Sequence, residues 1–160
     1  MATNDEQSGH PVGRHSDEIR RNVQLNREII AAFNSGGMAD TASFFDPEVV
    51  VHDPDLPGGE LRGRDAVIAT FSEMTTGFDS MQVRRIDMYP AGDRIVSLIH
   101  SAGSGEGIRG AMEVEFRTAH VTTFAGGKVV DWQVFDNARS AFESAGLDPE
   151  APGEPFPEAG

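Results

Sequence analysis

The feature that most constrains this chain is a change of apolar period at Gly77. Before it, apolar residues recur every three or four positions, and after it they alternate in long runs divided by short turns. Ile19, Val23, Ile30 and Phe33, helped by Leu25 and Ile29, fall on one side of a helix. Ser16 suits its N-cap, Asp17 and Glu18 suit the positive end of its dipole, and Asn34–Gly37 ends it. Met38 to Phe45 reads as a short second helix stopped by Asp46–Pro47. Asp65 can cap a third, with Val67, Ile68, Phe71 and Met74 as its apolar stripe and Gly77 as its end. The strands follow as Met81–Tyr89, Arg94–Ser101, Met112–Phe124 and Lys128–Phe135, with turns at Pro90–Asp93, Gly103–Gly110 and Ala125–Gly127. Asn137 can cap a last helix, Ala138–Ala145, closed by Gly146. Helices first and a strand meander after argue an α+β fold, with helices packed on one face of a curved antiparallel sheet.

One domain over residues 16–147 accounts for a chain of 160 residues. Met1 to His15 is polar and aperiodic, which predicts a disordered arm, and Asp148 to Gly160, with four prolines, predicts a flexible acidic tail. A formal net charge of -13, with the cations scattered, offers no basic face to nucleic acid or to an anionic membrane. The absence of cysteine rules out disulfides, thiolate nucleophiles and cysteine-ligated metals. With no apolar signal-like core near the N-terminus and no run of eighteen apolar residues, a cytoplasmic protein is expected.

The stretch Val49–Asp65 is where an apolar strand meets ionisable residues. Val49, Val50 and Val51 deliver His52 and Asp53 to a strand end that Pro54 terminates. An imidazole and a carboxylate so placed could form an acid/base pair, and the same Asp–Pro step could equally be a plain turn. Strand parity defines two further rows: Phe116, Thr118, His120, Thr122 and Phe124, and Trp132, Val134 and Asp136. Asp136 could be a buried carboxylate at the end of its strand or the cap of the helix that follows. His100 shares a row with Val96 and Leu98, and Tyr89 could place its hydroxyl at a pocket rim. His52, His100, His120 and the aspartates show no ligand spacing that demands a metal. The run Gly103-Ser104-Gly105-Glu106-Gly107 has the glycine of a phosphate loop without its strand–helix context, so it reads as a hairpin loop.

Three strings, AAFNSGGMADTASFFDPEVVVHDP, LRGRDAVIATF and FAGGKVVDWQVFDNARSAFESAGL, in this order of elements, resemble the SnoaL-like or nuclear transport factor 2-like superfamily over roughly Asp17 to Leu147. That superfamily includes polyketide cyclases, ketosteroid isomerases and limonene epoxide hydrolase. The resemblance implies a cone-shaped α+β barrel, a homodimer, a deep apolar pocket and no cofactor. The ketosteroid isomerase pattern places its base directly before a proline, at Asp53, while its oxyanion tyrosine falls on Ile29 and its second carboxylic acid near Ala119 or His120. The epoxide hydrolase pattern is met by Asp136 and Arg94, but its partner aspartate position reads Val96.

The resemblance therefore implies acid/base chemistry on an apolar, polyketide-like or polycyclic small molecule, as a cyclase or isomerase. The alternatives are epoxide opening and a non-catalytic ligand-binding dimer. Asp136, Asp53 and His120 are the expected catalytic residues, with Asp136 preferred as base because it shares a row with Trp132. Trp132, His52, Tyr89, Phe33, Phe116 and His100 are the expected substrate contacts.

Overall fold

The computed structural model describes residues 3–107 and 110–157, with side chains from Asp17 onward. Helix α1, Thr3–Gly36, is followed by a 3-10 helix, Met38–Phe44, strand β1, Phe45–His52, a 3-10 turn, Pro57–Gly59, and a short strand β2, Glu60–Arg62. Helix α2, Arg64–Met74, leads into β3, Ser80–Ala91, β4, Arg94–Gly107, β5, Gly110–Ala125, and β6, Lys128–Phe135. Helix α3, Ala138–Ser144, comes last. The six strands form one sheet in the order β2-β1-β6-β5-β4-β3, curved and unclosed. The α+β class and the helix-then-strand order are as expected.

Several local expectations are corrected. Ser16 lies inside α1 and does not cap it; a capping preference of about 1 kcal/mol is easily overridden by the rest of a helix. The proposed arm, 1–15, has no described side chains. Phe45 opens β1 and does not end a helix, because its ring is needed in the core, where it is 4% exposed. Asp46–Pro47 then falls inside β1, where the β1–β6 pairing is broken between Phe45 and Val50, a place where a residue without an N–H costs the ladder nothing. Helix α2 starts after Gly63, not at Asp65: a backbone φ of 95° turns the chain out of β2, and Gly63 donates to Val49 O at 2.8 Å. Met74 is 50% exposed at the end of that helix's stripe.

The hairpins are longer than the glycine pattern suggests. Ser104 pairs with Glu113 and Gly107 with Gly110, so the run Gly103–Gly107 belongs to β4. Gly103 faces inward under the Phe78 ring, and a Cβ there would lie 2.6 Å from Phe78 Cδ1. A side chain at this position would displace that ring, which meets Phe116 edge-on at 5.7 Å. The β3–β4 turn likewise shrinks to Gly92–Asp93.

Topology departs from expectation in two respects. Strands β1 and β6 run parallel, and every other pair is antiparallel. The helices also do not share one face. The main core joins Val23 of α1, Val67 of α2, Val49 and Val51 of β1, Ile95 and Val129 on the concave side. Helix α3 packs Ala141 and Phe142 against Val96, Ala119 and Val121 on the convex side. Parity explains the split, because Val96 and Val121 are paired neighbours one residue out of step with the inward Ile95 and Thr122. Asn137 caps α3 as expected, its side chain accepting from Ser140 N at 2.8 Å. The C-terminal segment is tied down through Phe156, which packs on the main core and donates its N–H to Met88 O at 2.8 Å.

Candidate functional site

The concave face and the helices over it enclose a cavity of about 410 Å³. Ile29, Ile30 and Phe33 of α1, Phe71 and Met74 of α2, and Phe78 form much of its apolar wall. The sheet adds Ile99, Phe116, Trp132 and Val134. An apolar cavity with few polar groups inside is the usual form of a small-molecule site. Trp132 anchors it, with ring centroids 4.8 Å from Phe71, 5.2 Å from His120 and 6.0 Å from Phe45.

Strand β1 decides which ionisable group enters. Val49, Val51 and Asp53 take the inward positions at 0%, 0% and 5% exposure, so His52 between them points out. The expected His52–Asp53 pair therefore does not form. The turn reading of Asp53 also holds: Oδ1 accepts from Asp55 N at 2.9 Å, and its carbonyl accepts from Leu56 N at 3.0 Å. The turn fixes the carboxylate on the cavity wall, so turn and base are compatible readings of one residue.

Asp136 follows the end of β6 and is solvent-exposed, touching both the cavity and a cleft on the convex face. It is not the cap of α3, since Asn137 performs that role. The expectation of a buried carboxylate at Asp136 is corrected: one residue beyond the last paired position, the chain has already turned outward toward α3.

His120 lines the cavity between Thr118 and Thr122, as its row predicts. Its Nε2 lies 3.2 Å from Thr118 Oγ1, and its ring meets Trp132 edge-on. Burial lowers its pKa from 6.5 to about 4, so at neutral pH it is an uncharged imidazole able to donate and accept hydrogen bonds.

Of the expected contacts, Trp132, Phe33 and Phe116 line the cavity and His52, Tyr89 and His100 do not. His52 sits on the convex face, 3.0 Å from Asp131 and 3.7 Å from Glu60. Tyr89 packs edge-on against Phe142 of α3, with centroids 5.0 Å apart. His100 faces the convex cleft beside Arg85 and Arg117. All three fall one position out of phase with the inward rows. Asn26, Ser97 and Asp55 also line the cavity, without having been singled out in the sequence. The available signal was Ser97 and Ser101 alternating with Ile95 and Ile99 in β4, polar positions within an inward row. Among the described residues no three His, Asp or Glu converge on a metal site, and no helix is long and apolar enough to cross a membrane.

Helices cupped in a curved, unclosed sheet around an apolar cavity define the nuclear transport factor 2-like class of α+β folds. The chain belongs to one family within it, matching the SnoaL-like domain over residues 26–132. That span holds Asp53 and His120 and stops short of Asp136. Solved structures agree on the fold. A nuclear transport factor 2-like protein from Anabaena variabilis is 13% identical, with TM-score 0.62 over 74% of this chain and 90% of its own. TerC, co-crystallised with polyporic acid, is 18% identical, with TM-score 0.61 over 78% and 97%. A proposed SnoaL-like polyketide cyclase from Jannaschia is 16% identical, with TM-score 0.61 over 81% and 94%. At these identities the likeness concerns fold alone. No curated protein matches the sequence.

Proposed function

We propose that the protein is an acid/base enzyme of the polyketide cyclase or isomerase kind, acting on an apolar polycyclic ketone with Asp53 as its base. The observation that carries this reading is the carboxylate of Asp53, 5% exposed, fixed by its own turn and lining an apolar cavity that the uncharged His120 shares. Asp53 takes a proton from the carbon alpha to a ketone, and the electron pair moves onto the carbonyl oxygen as an enolate. A neutral imidazole N–H at His120 donates a hydrogen bond to that oxygen. The enolate carbon then attacks a second carbonyl of the same molecule, and protonated Asp53 returns its proton to the new alkoxide. Reprotonation at a different carbon gives isomerisation instead. Either way the proton is returned and no electrons are gained or lost overall. The reading includes the homodimer and the apolar ligand that the family resemblance implies.

The natural substrate is not needed for the test. Deuterium exchange at the alpha carbons of 2-tetralone, followed by NMR, reports the first step alone. Asp53→Asn is expected to lower the protein-dependent exchange rate by about 100-fold or more, the size of a positioned general base, and Asp136→Asn to change it by less than about threefold. Loss in Asp136→Asn with retention in Asp53→Asn would move the base to the rim. No exchange above the buffer rate in the wild type would favour a ligand-binding protein without catalysis.

A further inference from the structure

Two buried polar residues of the cavity have no part in this proton transfer. Asn26 of α1 and Ser97 of β4 are 6% and 1% exposed, and both line the cavity. Asn26 Nδ2 lies 3.0 Å from Ser97 Oγ and 3.2 Å from Met88 Sδ, so both amide protons are directed at protein acceptors. The planar amide then holds its Oδ1 in one place as an acceptor. Ser97 Oγ accepts from Asn26 and keeps its own O–H to donate. Among the described residues, the enclosed side-chain atoms without a partner are Asn22 Nδ2 and His100 Nε2. Asn26 Oδ1 is not one of them although no donor among the described residues reaches it, which is the signature of an atom open to the cavity.

The pair does not stand alone. Ser97 and His120 are directly opposed in the β4–β5 ladder, so their side chains adjoin on the concave face. Asn26, Ser97, His120 and Thr118 thus form a polar strip across an apolar wall. An acceptor beside a donor is complementary to one group that both donates and accepts at a single atom, which is a hydroxyl. A ketone or an ether can satisfy only half of it, leaving the other half buried and unpaired at a cost.

We propose that Asn26 and Ser97 form a hydroxyl-recognition subsite, and that the ligand is an aromatic or polycyclic molecule carrying a phenolic or enolic hydroxyl. The subsite names the substrate class for the acid/base reading and rests on its cavity, not on the identity of its base. Aromatic walls at Phe33, Phe71 and Trp132 suit the remainder of such a ligand.

Equilibrium dialysis with 2-naphthol, its methyl ether 2-methoxynaphthalene, and naphthalene separates hydroxyl recognition from apolar binding. Wild-type protein is expected to hold 2-naphthol at least about tenfold more tightly than the ether, as for a hydrogen-bonded pair buried in an apolar wall. Ser97→Ala and Asn26→Ala are each expected to reduce that ratio to about threefold or less while naphthalene affinity stays within about twofold. Ser97→Ala removes a single oxygen and keeps the test alive where Asn26→Ala does not fold. A merely structural contact between α1 and β4 would lower thermal stability in both variants and leave the ratio unchanged, which overturns the subsite. A wild-type ratio near one, or no binding of any probe, overturns it too. Asp53→Asn is expected to keep the ratio, and in the wild type an intact ratio without any tetralone exchange supports the subsite while removing the acid/base reading.

Discussion

The two faces of the sheet carry similar residue types and put them to different uses. On the concave face Asp53, His120, Ser97 and Trp132 surround an apolar cavity. On the convex face His52 lies beside Asp131 and Glu60, His100 lines a second cleft, and Tyr89 braces α3 through Phe142. Each face has histidine, carboxylate and aromatic groups. What separates them is how far particular side chains are desolvated and what lies beside them. Burial makes His120 an uncharged imidazole, whereas His52 is 39% exposed in its side chain and adjoins two carboxylates. A change of one position along a strand is enough to move a residue from one setting to the other.

The largest expected effect on this comparison comes from the convex side. Phe142 is 5% exposed between α3 and the sheet, and Phe142→Ala should cost about 3–5 kcal/mol in urea unfolding. If the faces are independent, the molecules that remain folded keep the 2-naphthol preference. A parallel loss of that preference would show that α3 shapes the cavity through the sheet.

A smaller effect belongs to His120. Its folded-state pKa is depressed to about 4 while the unfolded chain titrates near 6.5, so as pH falls the unfolded state takes up the proton first. The stability from burying a neutral imidazole is fully present above pH 6.5, is lost between 6.5 and about 4, and changes no further below that. At about 1.4 kcal/mol per pH unit the loss is on the order of 3 kcal/mol. Unfolding free energies at pH 7, 5.5 and 4.5 should diverge by this amount between the wild type and His120→Gln, once the carboxylates common to both are subtracted. Parallel curves would mean that His120 reaches solvent.

Much of this arrangement was legible in the sequence. The element order at Gly77 gave the fold class, and strand parity gave the rows that hold His120, Phe116 and Trp132 correctly. Parity states which residues share a face, though, and not which face encloses the cavity. For this reason His52 and Asp53 read as one pair when the pleat divides them, and Asp136, in a row with Trp132, reads as buried although it lies one residue beyond the last paired position. Long-range pairings left no local trace. The parallel β1–β6 ladder joins distant segments, and the Asn26–Ser97 contact spans 71 residues. The run of glycines at Gly103 looked like a loop because its cause, the Phe78 ring above it, is a tertiary contact.

The smallest expected effect, at His52, gives the sharpest test, because it is set against that of the adjacent residue. Tetralone exchange measured side by side in His52→Gln and Asp53→Asn sets the outward side of β1 against the side that lines the cavity. The pleat of β1 predicts a rate within about twofold of wild type for His52→Gln, as for a surface group away from the site, and loss of protein-dependent exchange for Asp53→Asn. Equal losses in both, or exchange that survives Asp53→Asn, would contradict the assignment of the chemistry to the concave face.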